Sequence, residues 1–454
     1  MPQHDGLNRR SFLTTAGMTA VAGAVSGGTA LAAAADMAAA DAGVNGPFDF
    51  DTPFDRIGTD CTRWDAQIRI YGKENIQAGM GIADMDFRAA PVITRALHER
   101  MQHENWGYLE WPASFNEAVI NWNKKRYGLT INPESLVITT GVHPGLVAAM
   151  QAFCPRGSRI LINSPVYNGF FGDFTFTGIV PEQNPLKLVD GRFSIDFEDF
   201  ERRISHDTNA YLLCNPQNPT GNCWSPEDLM RLGEICLRRR VVVFADEIHC
   251  DFVTKGHKYT PFASLPNKAV VNNSITFKAA SKSFGLAAMK TAWFFSDNMD
   301  YINRIKAHNR PDLTTLGMVA NRAAYEGGEP WLNQLVDYID GNHDYVESFI
   351  KANIPLIKVA KAQGTYLAWL DVSGVARKIN STALAAEANK DRGSQRPLTP
   401  EQMIERHFVK TAKVQMSAGA TFGDGGQNHM RMNIATSRKT LELALNNLAR
   451  GLDA

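Results

Sequence analysis

Four residues stand at or just past the ends of apolar runs. They are Lys282 in "ITFKAASKSF" (275–284), Asp246 in "VVVFADEIHCDF" (241–252), Asn218 in "LLCNPQNPTGN" (212–222) and Gly141 in "VITTGVHPGL" (137–146). A lysine between two serines at the end of a buried-looking run rarely sits there without a partner or a task. Its amine can form a Schiff base with an aldehyde, and cationic and apolar neighbours lower its pKa toward neutrality. A carboxylate can keep the nitrogen of a pyridinium ring protonated. An asparagine amide can donate to a phenolate oxygen. A glycine opening a helix leaves backbone N–H groups free to cradle a phosphate.

The elements around these residues have to bring them together. From about Pro47 onward, short apolar runs recur at 136–140, 159–163, 210–215, 241–246, 274–280 and 291–297. Most are continuous rather than alternating, which predicts strands covered on both faces. Helical text separates several of them, such as 225–240, where Ser225 is placed as an N-cap. This pattern predicts an α/β fold with a mostly parallel sheet, whose ligands bind beyond the carboxyl ends of the strands. All four residues fall on that edge. Pyridoxal phosphate carries an aldehyde, a pyridine nitrogen, a phenolate and a phosphate, and it matches the four without requiring a metal. Residues 358–374 read as two strands and 389–402 as an exposed loop. The large domain is expected over 96–344, with 47–95 and 345–454 forming a smaller one.

"NPxNPTG", "ADEIHCD", "SKSFGLA" and "RMNIATSR" (431–438) occur in the order and approximate spacing of the class I/II aminotransferases, and the chain resembles that fold-type I family over roughly residues 47–450. "GIADMDF" (81–87), "DEIHCDF" (246–252) and "GTYLAWLD" (364–371) most resemble its bacterial cystathionine β-lyase, or cysteine-S-conjugate C–S lyase, branch. The resemblance implies a large domain built on a mostly parallel sheet, a smaller α+β domain, and pyridoxal phosphate held by Lys282, which then moves protons at Cα. Asp246 would partner the ring nitrogen, and Asn218 the ring oxygen, with His249 near it. Tyr167 would stack on the ring. Gly141, Val142, His143 and Ser281 would hold the phosphate, and Arg431 would grip the substrate carboxylate. Tyr108 would reach the phosphate of a neighbouring subunit in a homodimer. Three positions depart from the family pattern. Lys290 replaces an arginine that bonds the phosphate, and Ala279 replaces a serine or threonine. Gly81 stands where the branch carries tryptophan, implying a roomier substrate pocket. Arg438, Asp84 and Asp86 have no assigned role. β-Elimination with release of thiol, pyruvate and ammonia, and transamination between an amino acid and a 2-oxo acid, use the same residues. The motifs therefore leave both open, with elimination favoured along the branch-like segments. The intact set Lys282, Asp246, Asn218 and Arg431 argues against a binding protein without turnover.

The resemblance implies a small amino-acid substrate, and composition gives no reason to expect a nucleic-acid partner. Of 454 residues 44% are hydrophobic, and 47 Lys+Arg balance 47 Asp+Glu, which offers no basic surface for nucleic acid. Six cysteines show no regular spacing, and neither C-x-x-C nor H-E-x-x-H occurs, so no metal is expected. Residues 1–35 carry Arg9-Arg10, a Gly/Ala/Val/Thr-rich stretch and Ala30-Leu31-Ala32. They read as a twin-arginine export signal delivering a folded enzyme to the periplasm, without stable membrane insertion after cleavage. An N-terminal membrane anchor is the alternative, though so Gly- and Thr-rich a stretch has little drive to stay in lipid.

Overall fold

The computed structural model describes residues 46–189, 191–393 and 395–453, so the expected export signal lies outside the described residues. Each of the six apolar runs becomes a strand of one sheet. The strands are β1 (Val137–Thr139), β2 (Arg159–Ser164), β3 (Val180–Pro185), β4 (Thr208–Cys214), β5 (Val242–Asp246), β6 (Ser274–Lys278) and β7 (Ala292–Phe295), in the order β1-β7-β6-β5-β4-β2-β3. Six strands run one way, and only β7 is antiparallel to its neighbours. β3, "VPEQNP", was not expected. It is a polar edge strand containing two prolines, and an edge tolerates residues that a central strand excludes.

The continuous apolar runs have the meaning assigned to them. Along β5, Val243 and Ala245 enter one core while Val242 and Phe244 enter the other, on the opposite face of the sheet. β4 divides in the same way, with Tyr211 and Leu213 on one side and Leu212 and Cys214 on the other. Helices that position the site are α1 (Ala113–Tyr127), α2 (Val142–Phe153), α3 (Gly169–Thr177), α4 (Pro226–Arg238), α5 (Ala280–Ser283) and α6 (Pro400–Ala412). Ser225 caps α4, its side chain accepting from the Asp228 N–H.

A second, three-stranded antiparallel sheet contains β8 (Leu367–Asp371), β9 (Ser417–Ala418) and β10 (His429–Asn433), with β10 central. Only one of the two strands expected in 358–374 forms. Lys358 makes a single bridge to Asp371, and beyond it Ala362, Gln363 and Gly364 spend their backbone groups on Thr254 and Gly221. The 389–402 loop ends at a capping box in which Thr399 and Gln402 close the start of α6. Ala78–Gly79 pairs in parallel with Val414–Gln415, which fastens the N-terminal segment to the C-terminal part. Residues Pro47–Ala454 pack as one unit. No helix among the described residues is long and apolar enough to cross a membrane.

Candidate active site

The carboxyl ends of β1, β4, β5 and β6 open on a cavity of about 590 Å³. Gly141, Val142 and His143 line it from the start of α2, Asn218 from the turn after β4, Asp246 and His249 from β5 and its loop, and Ser281 and Lys282 from α5. Tyr167 and Lys290 line it too, whereas Arg431, Gly81 and Tyr108 of the predicted set do not. The turn after each strand differs, but parallel strands deliver all their C-terminal turns to one edge, so residues up to 150 positions apart meet.

Lys282 is half-buried on α5, and its Nζ donates to the Ala83 carbonyl at 2.6 Å. Burial and the nearby Arg431 charge pull its pKa down to about 8, against the opposing pull of Asp84 and Asp246. Asp246 is buried at the end of β5 and accepts from the Ile248 N–H at 3.1 Å. Burial raises its pKa to about 6, although His143 and Lys282 draw it back down. A buried carboxylate in this state gains from a cationic N–H placed beside it. His249 is buried, and neither ring nitrogen has a hydrogen-bond partner. Burial, Lys282 and Arg431 hold it neutral, well below the ordinary histidine range.

Arg431 sits in the centre of β10 and is 3% exposed. Nη2 donates to the Gly81 carbonyl at 2.8 Å, Nη1 to Asn218 Oδ1 at 3.1 Å, and Nε has no partner. The Phe422 ring lies 4.8 Å below the guanidinium. Burial lowers its pKa to about 10, so it stays charged at neutral pH. An orphaned N–H on a buried cation suits a carboxylate guest.

His143 joins its Nδ1 to Asp173 of α3 at 2.5 Å, and its Nε2 lies 3.4 Å from the Tyr167 hydroxyl. Burial opposes the charged imidazole, but Asp173 outweighs it and carries the pKa above the usual value. The Tyr167 ring tilts against that of His143, with centroids 5.4 Å apart. At the other wall, the free N–H groups of the first turn of α2 stand with Ser281 and the exposed Lys290. Lys290 holds a left-handed backbone at φ 47°. Cys214, Ile248, Asp312 and Thr314 also line the cavity, and sequence reasoning missed them. Cys214 precedes Asn218 by one turn and was legible as a neighbour, whereas nothing in the sequence marks Asp312.

Two expectations are altered. Gly81 does not open the pocket. A Cβ built on it would lie 2.4 Å from Gln415 Oε1, so the space a side chain would take is filled by Gln415. What Gly81 contributes is its carbonyl, held by Arg431 and by Ser417 Oγ. Tyr108 does not line the cavity of its own chain and is fully exposed, in a stretch that also exposes Trp106 and Trp111. Asp84 and Asp86 gain a role. They bind Arg56 and the fully buried Arg63, which holds the Gly79 carbonyl at 2.6 Å. These ties pin the 79–86 loop so that two of its carbonyls, from Gly81 and Ala83, meet the two cations of the site. Arg438 bonds Asn342 at 2.9 Å, away from the cavity.

Residues 75–448 match the aminotransferase class I and II family, and the chain belongs to it. Its fold is that of the fold-type I pyridoxal-phosphate enzymes. Among characterised proteins it is similar to cystathionine beta-lyase PatB of Bacillus subtilis, at 34% identity over 89% of this chain and 99% of that one. Among solved structures it is similar to a PLP-bound C-S lyase from Staphylococcus hominis (TM-score 0.78, 29% identity, 89% and 99% of the two chains). It is also similar to a PLP-bound putative aminotransferase from Clostridium difficile 630 (TM-score 0.81, 30% identity, 89% and 100%).

Proposed function

We propose that the protein is a pyridoxal-phosphate-dependent C–S β-lyase acting on S-substituted cysteines such as cystathionine. One observation carries the reading: a lysine with pKa about 8 shares a cavity with a buried carboxylate, next to a buried arginine with an unused N–H. The residues fit the cofactor group by group. Lys282 would hold the aldehyde, Asp246 the ring nitrogen and Asn218 the ring oxygen, with His249 beside it and Tyr167 against the ring. Gly141, Val142, His143 and Ser281 would take the phosphate. Lys290 would add charge there as a point rather than a fork. When bound, the cofactor supplies an aldehyde for the substrate amine and a protonated ring that accepts the Cα electrons.

The chain's own residues do the rest. Arg431 takes the substrate carboxylate and sets which Cα bond faces Lys282. The Lys282 amine removes the Cα proton. The Cβ–S bond breaks, and the sulfur leaves as a thiol after taking up a proton. The released enamine takes up water to give pyruvate and ammonia. The similarity to PatB and to the staphylococcal lyase supports elimination, and the similarity to the clostridial aminotransferase-like protein keeps transamination as the second reading.

The experiment is incubation with cystathionine or an S-alkyl cysteine in the absence of any keto acid. Continuous formation of thiol and pyruvate is expected. One equivalent of keto acid per site followed by stalling, relieved by 2-oxoglutarate, would establish transamination instead. Borohydride reduction should fix the cofactor on the peptide that contains Lys282.

The exposed Trp106, Tyr108 and Trp111 support a homodimer in which this stretch packs on the partner, since large aromatics in one run are costly to leave in water. Sedimentation of wild type against Trp106→Ser checks it. Export through the twin-arginine route rests on Arg9-Arg10, and replacing both by lysine should retain the precursor in the cytoplasm.

A further inference from the structure

Lys282 needs more than a low pKa. Its amine must stand at a fixed place, yet α5, which carries it, is only four residues long. So short a helix has almost no stability of its own. What holds it is on its far side. Ser283, the next residue, is fully buried, and its Oγ donates to Asp251 Oδ2. Asp251 is buried too, five residues beyond Asp246 on the loop leaving β5. Its other oxygen accepts from the Tyr127 hydroxyl and pairs with Arg126 Nε at 2.7 Å. Arg126 and Tyr127 end α1, and Arg126 is fastened further by Asn333 at 2.8 Å and by the Trp122 face. One carboxylate thus ties three segments: the loop that carries Asp246 and His249, the helix that carries Lys282, and the end of α1.

We propose that Asp251 is a positioning residue for Lys282, acting through Ser283. Asp251 does not line the cavity. Its hydrogen bond fixes the rotation of α5, so that the side chain one residue earlier projects toward Ala83 and the cavity. The buried ion pair with Arg126 makes the carboxylate itself immobile, and breaking such a pair from one side is strongly unfavourable. Two polar residues close to the site in sequence, Glu247 and Lys278, do not line the cavity and are anchored elsewhere. Glu247, directly after Asp246, accepts from Tyr259 and from the Phe262 N–H at 2.8 Å, and Lys278, at the end of β6 and four residues before Lys282, donates from Nζ to Asn123 at 3.0 Å.

This inference rests on Lys282 being the cofactor-bearing lysine. That premise is tested separately, by where the borohydride label maps in the wild-type protein. The test of the inference uses Ser283→Ala and Asp251→Asn as holoenzymes, with turnover expressed per bound cofactor. Ser283→Ala removes only the link to α5 and leaves Asp251 its bonds to Tyr127 and Arg126. Displacing a reacting group by about 1 Å costs up to about 10²-fold in rate, so a fall in kcat of roughly tenfold is expected in each variant, with KM changed less than about twofold. The pH midpoint of the bound cofactor's visible absorption should shift in both variants. Hydrogen exchange of the 280–284 amides should quicken. A merely structural role would lower the melting temperature or the cofactor content and leave the midpoint and the kcat per cofactor at wild-type values. That result in Ser283→Ala overturns the proposal. If Asp251→Asn yields no folded holoenzyme, the Ser283→Ala measurements decide alone.

Discussion

Replacing Arg431 by alanine gives the sharpest test of how the site recognises its substrate. In the free protein two of the guanidinium donors are engaged by neutral acceptors, Gly81 O and Asn218 Oδ1, and Nε is idle. A carboxylate can therefore take Nε at no cost and displace the longer Asn218 contact. Hydrogen bonds to charged groups contribute about 1.5–3 kcal/mol each, so two of them less the lost Asn218 bond leave roughly 3 kcal/mol. At 1.36 kcal/mol per decade, kcat/KM for S-methylcysteine should fall by about 10²-fold. Arg431→Lys should recover only part of this, because an ammonium cannot reproduce the fork. The assay is thiol release, run in parallel on S-methylcysteine and its methyl ester, which lacks the carboxylate charge. Wild type should prefer the acid by about the factor lost on mutation, and Arg431→Ala should lose that preference, as a thermodynamic cycle requires. Near-UV circular dichroism controls for the cavity and the orphaned Asn218 that the mutation leaves. If the mutant discriminates acid from ester as well as wild type does, Arg431 is not the carboxylate site.

Three further outcomes follow from the same geometry. Because Lys282 has a pKa of about 8, the rate at which cofactor-free protein takes up pyridoxal phosphate should rise with pH and level off above about pH 8, and Arg431→Gln, which removes a charge that lowers this pKa, should move the midpoint upward. The His143 pKa is raised in the fold, so its ion pair with Asp173 stabilises the protein fully below the unfolded histidine value of 6.5 and ceases to do so as pH rises through the folded value; Asp173→Asn should therefore lower the melting temperature more at pH 5.5 than at pH 9. Gly81→Ala should cost about 1–3 kcal/mol in chemical denaturation, because the new Cβ meets Gln415, and Gln415→Ala in the same chain should restore most of it; full stability of Gly81→Ala alone would show that the space is open.

Six of the seven strands of the large sheet, and the edge where chemistry had to occur, were legible in the sequence alone. Continuous apolar runs bounded by Gly, Pro and Asn have few other folded solutions, and parallel strands place their C-terminal turns together. Lys282, Asp246, Asn218 and Gly141 were legible for that reason, since each stands at or just past the end of its run. β3 was not legible, because an edge strand need not be apolar and its text is polar and proline-containing. Arg431 was identifiable as a motif residue, but its idle Nε and its hold on the Gly81 carbonyl arise only when β10 meets the 79–86 loop. The pKa values of Lys282, Asp246 and Arg431 belong wholly to the tertiary structure, because burial and neighbouring charge set them and neither is a property of local sequence. The same holds for Gly81. Read along the chain, a missing side chain suggests empty space. In the fold that space belongs to Gln415, more than three hundred residues away, because the loop and the Val414–Gln415 strand pack side by side.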